Sequence, residues 1–537
     1  MRRPSADLDL LARRALATPD RLALVDSETG EESTYRELDR AVDAVSAALG
    51  RGSAVDSGTD GRSINGDSSR SEALAGDPIA TLLPTGGPFV RVAFAAFRTG
   101  STLVPLGPNE STATLVMACE AVRPSTLVCA ASTADLALAV ADRAPVDHVV
   151  SIEPVSSAPI ASLGGGDPAN APPPTPIDGN DVALVCFTSG TGGRPKGVKL
   201  TTDNLLASAR RSAYRLGVEP DDRWLDPLGV HHMGGFAPIV RSTQYGTTVV
   251  TQPEFTAKGT IATLESQDAT LVSLVPTMVK RMLDRGWEPS EKLRVALVGG
   301  APTPPALVED ALDAGVPLYP TFGTTETSSQ VATATPAQSA RHPGIVGHPL
   351  FEVDVTVVDD DGVSLPAGET GRIRVCGPTV SAGYLDDRNG AGTFENGCVL
   401  TGDRGVLDHE GLLWITGREA DRIVTGGETV DSNVVRSVLT GLPAVESAFV
   451  VGVTDEEWGE RVGAIVVPSD PDAPPSVASI DDHCRDRLAT HERPRTVAIV
   501  DTLPRTVSGT VDRDAVRSIL DDCIEGSETS SQDDDRS

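Results

Sequence analysis

The chain reads as an α/β protein, with a large N-terminal domain of mixed α/β subdomains around parallel sheets and a small α+β C-terminal domain. Three observations predict this. Short unbroken apolar runs, Ala80 to Pro84, Val182 to Phe187, Leu271 to Val275 and Val295 to Val298, have the length and continuous hydrophobicity of strands buried on both faces. They alternate with amphipathic helical patterns such as Tyr35 to Leu49 and Asp203 to Leu216, the order expected of a parallel sheet with helical crossovers. The length of 537 residues also exceeds what a single core organises.

From Gly417 onward a new alternation begins: Ala448 to Val453, Val462 to Val467, a helix near Ile480 to Leu488, and Val497 to Val500. The boundary is therefore expected near Arg418 to Asp421, with residues 1–417 as the N-terminal domain and 418–523 as the C-terminal one. Residues 51–77 are rich in Gly, Ser and Asp, residues 154–180 in Pro, Gly and Ala, and residues 524–537 end in an acidic run. We expect two polar insertions and a disordered acidic tail.

Composition narrows the function classes. No apolar run approaches the roughly 18 residues of a membrane span, and the leading arginines have no apolar stretch behind them. A cytoplasmic protein with no membrane insertion is the expectation. The seven cysteines (Cys119, Cys129, Cys186, Cys376, Cys398, Cys484, Cys523) are odd in number and lack any CxxC pair, so they read as small buried hydrophobes rather than as disulfides or zinc ligands. A formal charge of −31 repels nucleic acid and anionic lipid.

After the apolar run VALVCF comes TSGTGGRPKGV, Thr188 to Val198. Its glycines, Gly190, Gly192 and Gly193 among them, let backbone amides approach phosphate oxygens. Thr188, Ser189 and Thr191 add hydroxyl donors, and Lys196 adds a point charge. A Walker A box needs Ser or Thr after its lysine, whereas Gly197 follows Lys196, so an ordinary P-loop NTPase is excluded.

The segment resembles the signature of the adenylate-forming superfamily, which includes acyl-CoA synthetases, luciferases and the adenylation domains of peptide synthetases. Downstream, TFGTTETSSQ (Thr321 to Gln330) is similar to the family's aromatic-Gly-x-Thr-Glu motif, TGD (Thr401 to Asp403) to its ribose motif, and GREADRIVTGGETV (Gly417 to Val430) to its hinge motif. Four motifs in order carry the resemblance over residues 20 to 523. It implies the adenylate-forming fold with a mobile C-terminal lid, ATP and Mg²⁺ as reactants, and coenzyme A as co-substrate.

By the same resemblance, Glu326 would hold the metal and Thr325 would contact the α-phosphate, with Gly323 and Thr324 part of the same nucleotide loop. Phe322 would stack on adenine, and Gly300, Ala301 and Pro302 would wall the base. Asp403 would accept the ribose hydroxyl protons, which an ionised carboxylate can do. Arg418 would add a donor to the nucleotide, and Lys196, Thr325, Glu326 and Arg418 would be the catalytic set. Gly426 and Gly427 would line the pantetheine path, and Ala420 takes the hinge position. One departure stands out: LPRTVSGTVDR (Leu503 to Arg513) resembles the family's PRT-x-x-GK segment but carries Thr510 where a lysine is usual. Losing a cation there would cost about 3 kcal/mol in the adenylation step, unless Arg505 or Arg513 replaces it.

Specificity is expected in HHMGGFAPIVRSTQYGTTVV (His231 to Val250) and in the serines after the Thr-Glu motif. These stretches resemble the branch of the family that activates 2-succinylbenzoate, an aromatic acid with two carboxylates and a ketone. The resemblance implies a pocket in which His232, Arg241, Ser328 and Ser329 are donors and Gly234 and Gly235 make room for the ring. Other aromatic or medium-chain acids, and a noncatalytic adenylate-binding role, are the alternatives.

Lysine occurs only at Lys196, Lys199, Lys258, Lys280 and Lys292 among 45 basic residues, and aspartate is abundant throughout. This composition suits a halophile's cytosol, where the Debye length falls to about 3 Å at 1 M salt and self-repulsion is screened. The melting temperature is expected to rise from dilute buffer to molar KCl, and equal values in the two would contradict the reading.

Overall fold

The computed structural model describes residues 9–52, 76–155, 160–164, 166–175, 178–188, 195–386, 392–419, 422–426, 428–455, 458–485, 487–505 and 511–533. Four sheets organise them. A seven-stranded sheet runs in the order Ala161–Ser162, His148–Ser151, Thr126–Cys129, Ile79–Leu82, Leu103–Pro105, Val182–Thr188, Lys196–Thr201. It is parallel except at its last pair. A nine-stranded sheet has a parallel centre of Leu318–Thr324, Val295–Val298, Leu271–Leu274, Arg223–Asp226, Thr248–Thr251 and Leu22–Asp26. The predicted apolar runs are its strands and those of the seven-stranded sheet, buried because helices cover both faces.

The third sheet was not separately legible. It is antiparallel and assembled from Asp354–Val358, Gly371–Cys376, Cys398–Leu407, Phe394–Glu395 and Leu413–Arg418. Its strands alternate buried and part-exposed residues, as in Gly371–Cys376, so they lack the continuous apolar signal of the parallel ones. The fourth sheet holds the C-terminal elements: Glu428–Asp431, Arg422–Thr425, Gly459–Pro468, Val445–Asp455 and Thr496–Ile499, against the helices Ser432–Thr440 and Val477–Arg485. It has its own core around Ile423, Val435, Leu439, Ala464 and Ile480.

Two expectations are corrected. Cys376 and Cys398 face each other across neighbouring strands and form a disulfide, with Cα atoms 4.1 Å apart. Their 22-residue separation hid the pairing, which arises from strand register. Cys119, Cys129, Cys186 and Cys484 are buried as expected, whereas Cys523 is exposed. The acidic tail is also partly helical: the last helix spans Arg513–Asp533. Val516 and Leu520 anchor its first turns against Val451, Val453 and Ile465, and a helix once nucleated propagates at little cost per residue. Among the described residues, no helix is long and apolar enough to cross a membrane.

Arg98, 2% exposed, ties three helices of the N-terminal domain together. Its guanidinium meets Asp9 at 2.9 Å, Asp43 at 2.7 Å and Asp39 at 2.5 Å, and donates to the Asp39 carbonyl at 3.0 Å. Burial outweighs the pull of Arg98 and lifts the Asp39 carboxyl above its ordinary range. Removing one partner of a buried ion network strands the rest. Arg98→Met is therefore expected to cost about 3–5 kcal/mol, read as a lower urea midpoint, and an unchanged midpoint would mean that the carboxylates discharge without loss.

Candidate active site

The strand Val182–Thr188 leaves the seven-stranded sheet and returns as Lys196–Thr201, with Thr188 and Lys196 in register. Thr188 Oγ1 donates to the Lys196 carbonyl at 3.5 Å. Of the glycine-rich turn between them, Ser189, Gly190, Thr191, Gly192 and Gly193 lie outside the described residues. Lys196 Nζ sits 5.2 Å from the ring centroid of Tyr384.

The strand Leu318–Thr324 passes through the short turn Thr325–Thr327 and comes back as Ser329–Thr333. Thr327 closes the turn, its Oγ1 accepting from the Thr324 amide at 3.0 Å and donating to the Thr324 carbonyl at 3.1 Å. Thr325 and Glu326 are thereby held at the tip. Gly323 is needed on steric grounds, because a Cβ there would lie 1.6 Å from the Ser329 carbonyl oxygen. Glu326 Oε1 accepts from the Tyr384 hydroxyl at 2.9 Å, and its carbonyl accepts from the Ser381 amide at 2.8 Å.

Asp403 and Arg418 face each other across adjacent antiparallel strands, Arg418 Nε donating to Asp403 Oδ1 at 3.1 Å. Burial lifts the Asp403 carboxyl above its ordinary range; Arg418 offsets this in part, and the nearby negative charge of Glu326 adds to it. Lys196, Glu326 and Asp403 thus gather at one place, although they come from three different sheets. Gly300 (φ +79°), Ala301 and Pro302 are exposed just past the strand Val295–Val298, beside the aromatic strand. Phe322 has most of its ring packed against Val331, Val353 and Ile373 and only 9% of its surface free.

Among the described residues, no cluster of three or more His, Cys, Asp or Glu side chains could hold a metal unaided. A lone Glu326 still fits Mg²⁺, which is commonly held by one or two carboxylates together with substrate phosphates and water.

The predicted acid pocket centres on Arg241, in the helix Met233–Tyr245 and 2% exposed. It donates to Ser329 Oγ at 3.3 Å and lies 5.4 Å from the Trp224 ring centroid, and its Nε has no partner. Burial pushes its guanidinium down to about 10. Ser328 (φ +56°) and Ser329 (φ +98°) hold consecutive left-handed conformations that are strained for side chains with a Cβ. Ser208 Oγ donates to the Ser328 carbonyl at 2.6 Å and Ser328 Oγ to the Thr379 carbonyl at 2.7 Å, fixing that turn. Ser328 is therefore committed to the protein, and Ser329 is the serine that reaches Arg241.

His232 is open to solvent at the start of the same helix, its ring 4.1 Å from that of His231. Burial pushes the His231 imidazole down to about 3, with the neighbouring His232 adding. The expectation for Gly235 needs correcting, because a Cβ there would strike the carbonyls of Leu228 and Gly229 at 2.6–2.7 Å. Its missing side chain admits loop backbone rather than a substrate ring. Gly234 would meet only the Leu228 side chain, at 3.1 Å.

In the C-terminal domain, Gly426 has φ +59° and donates to the Trp458 carbonyl at 2.9 Å. Gly427, Ala420 and Thr510 lie outside the described residues. Of the two arginines considered as substitutes for the absent lysine, Arg505 is exposed in a strand-like bridge to Val511. Arg513 is half-buried, 5.9 Å from the Phe449 ring centroid, and burial, with the nearby charge of Arg418 adding, lowers its guanidinium from the ordinary value. Sequence reasoning missed Tyr384, Trp224 and Ser208, which lie outside the motifs and reach the site only through the fold.

Comparison with known proteins identifies the family. The AMP-binding enzyme family model matches residues 71–385, and that of the AMP-binding enzyme C-terminal domain matches residues 435–510. A 2-succinylbenzoate–CoA ligase of Bacillus licheniformis is 36% identical over 359 residues, 64% of this chain and 74% of that protein. The o-succinylbenzoate CoA synthetase (MenE) of Bacillus subtilis in complex with the acyl-adenylate intermediate OSB-AMP superposes with a TM-score of 0.81 at 30% identity, over 95% of this chain and 97% of that one. The same synthetase with ATP and magnesium ion gives a TM-score of 0.80 at 29% identity, over 95% and 99% of the two chains. With both domains matched in order on an adenylate-forming fold, the chain belongs to the AMP-binding enzyme family.

Proposed function

We propose that this protein is an AMP-forming acid–CoA ligase for 2-succinylbenzoate. It activates the substrate carboxylate with ATP, releases pyrophosphate, and passes the acyl group to the thiol of coenzyme A, a step of menaquinone biosynthesis in a cytoplasm of high salt. The observation that carries the acid assignment is Arg241. A guanidinium 2% exposed, with an unpartnered Nε and no carboxylate bonded to it among the described residues, lacks a counter-charge. Burying such a charge is costly unless an anion reaches it. A substrate with a second carboxylate, remote from the reacting one, supplies that anion, and Ser329 adds a hydroxyl. The relatives that act on 2-succinylbenzoate support the same reading.

Attack of one anion on another needs alignment and positive charge before any rate is gained. Asp403 accepts the ribose hydroxyl protons with its second oxygen while Arg418 holds the first. Lys196 and the amides of the turn from Thr188 take the phosphates. Glu326 would hold magnesium bound with the nucleotide, which would neutralise phosphate charge. The C-terminal domain then brings the thiol past Gly426 and Gly427. For the absent lysine we assign Arg513, because it already lies beside Arg418, which touches the ribose carboxylate.

Incubation in molar KCl with ATP, Mg²⁺, CoA and a panel of acids is expected to yield AMP and 2-succinylbenzoyl-CoA by mass, and preference for benzoate or octanoate would end the assignment. Arg241→Met should raise KM for 2-succinylbenzoate about 100-fold, a loss of about 2.7 kcal/mol, with KM for ATP unchanged. Arg513→Ala should slow ATP–pyrophosphate exchange about 100-fold and Arg505→Ala should not. Thr510→Lys should restore exchange in the Arg513→Ala background, and full exchange by Arg513→Ala alone would remove Arg513 from the mechanism.

A further inference from the structure

Tyr384 has no place in the motifs, yet it is the side chain that touches both the phosphate-loop lysine and the metal-binding glutamate. It is 6% exposed. Its hydroxyl donates to Glu326 Oε1 at 2.9 Å, and its ring carries Lys196 Nζ at 5.2 Å from the centroid. Phe394 packs edge-on against it, with centroids 5.2 Å apart and planes at 82°. Its backbone is equally constrained. Tyr384 forms a bridge to Val198, Leu385 donates to the Gly197 carbonyl at 2.8 Å, Lys199 to the Gly383 carbonyl at 2.8 Å, and Ala382 to the Lys199 carbonyl at 2.9 Å.

The chemistry of this arrangement is specific. Tyr384 contacts an ammonium with its ring and a carboxylate with its hydroxyl, two groups that, if paired with each other, would each cancel the charge the other needs for substrate. Among the described residues Lys196 makes no such pair, because its charge rests on the face of an aromatic ring, a favourable site for a cation. The same ring ends in a hydroxyl that occupies Glu326 Oε1 and leaves Oε2 to a metal. Outer-sphere donors of this kind orient a ligating carboxylate and tune its affinity.

We propose that Tyr384 is a positioning residue for adenylation: its hydroxyl presents one Glu326 oxygen to the metal, and its ring keeps Lys196 apart from Glu326. The inference rests on the reading of Glu326 as metal ligand, so its test includes Glu326→Gln. Calorimetric titration of ATP into the full chain, in molar KCl, with excess Mg²⁺ and separately with EDTA, gives the factor by which the metal tightens binding. Tyr384→Phe should bind metal-free ATP as wild type does but lose about tenfold of the Mg²⁺-dependent gain, with its melting temperature close to wild type. Tyr384→Leu should weaken metal-free ATP as well, since Lys196 then pairs with Glu326. If Tyr384→Phe keeps the full gain while Glu326→Gln loses it, the positioning role is wrong and the metal assignment stands. If Glu326→Gln also keeps the gain, both fall.

Discussion

The double attachment of residues 381–385 is the constraint on which the site depends. On one side this segment is hydrogen-bonded to the strand Lys196–Thr201, and on the other the Ser381 amide holds the carbonyl of Glu326. Lys196 belongs to the seven-stranded sheet, Glu326 to the hairpin at the edge of the nine-stranded one, and Asp403 to the antiparallel sheet. Each sheet is rigid within itself, so the geometry between the three groups is set wherever the sheets are joined. Preorganised charge of this kind needs no rearrangement as the transition state forms.

The parallel core was legible in the sequence because strands buried on both faces have continuous apolar runs. Val295–Val298 was read to the residue, and Leu271–Leu274 to within one. The antiparallel sheet was not, since Arg372 and Arg374 interrupt the apolar pattern of its second strand. The candidate nucleotide residues are named through motifs, in which neighbours in sequence act together, and the fold brings Lys196, Glu326 and Asp403 into one region. Tyr384 lies 58 residues from Glu326, and no local pattern links the two. The Cys376–Cys398 pair was hidden for the same reason.

The acid pocket illustrates a different limit. Arg241 could be named as a donor from sequence, but its meaning depends on burial, and the same residue on an exposed helix face would be a weak surface charge. What the structure adds is its depth, the aromatic ring beneath it and a strained serine opposite. Strain at Ser328 and Ser329 is held by hydrogen bonds from Ser208 and to Thr379, so the turn has been stabilised at some conformational cost. Gly235 shows the converse: a glycine assigned to the ligand serves the backbone.

The charge balance of the chain sets these local cations in context. A net −31 opposes the approach of ATP, coenzyme A and a dicarboxylate alike. That field acts over distances at which salt screens efficiently, with a Debye length of about 3 Å at 1 M. Contacts made over a hydrogen-bond length are screened far less, and that of Arg241 with Ser329 lies where solvent ions have little access. High ionic strength therefore removes most of the long-range repulsion while leaving the short-range attraction largely in place. A chain this acidic can consequently carry a site for three anionic substrates, provided that its few site cations are held by geometry, as Lys196 is over Tyr384 and Arg418 against Asp403.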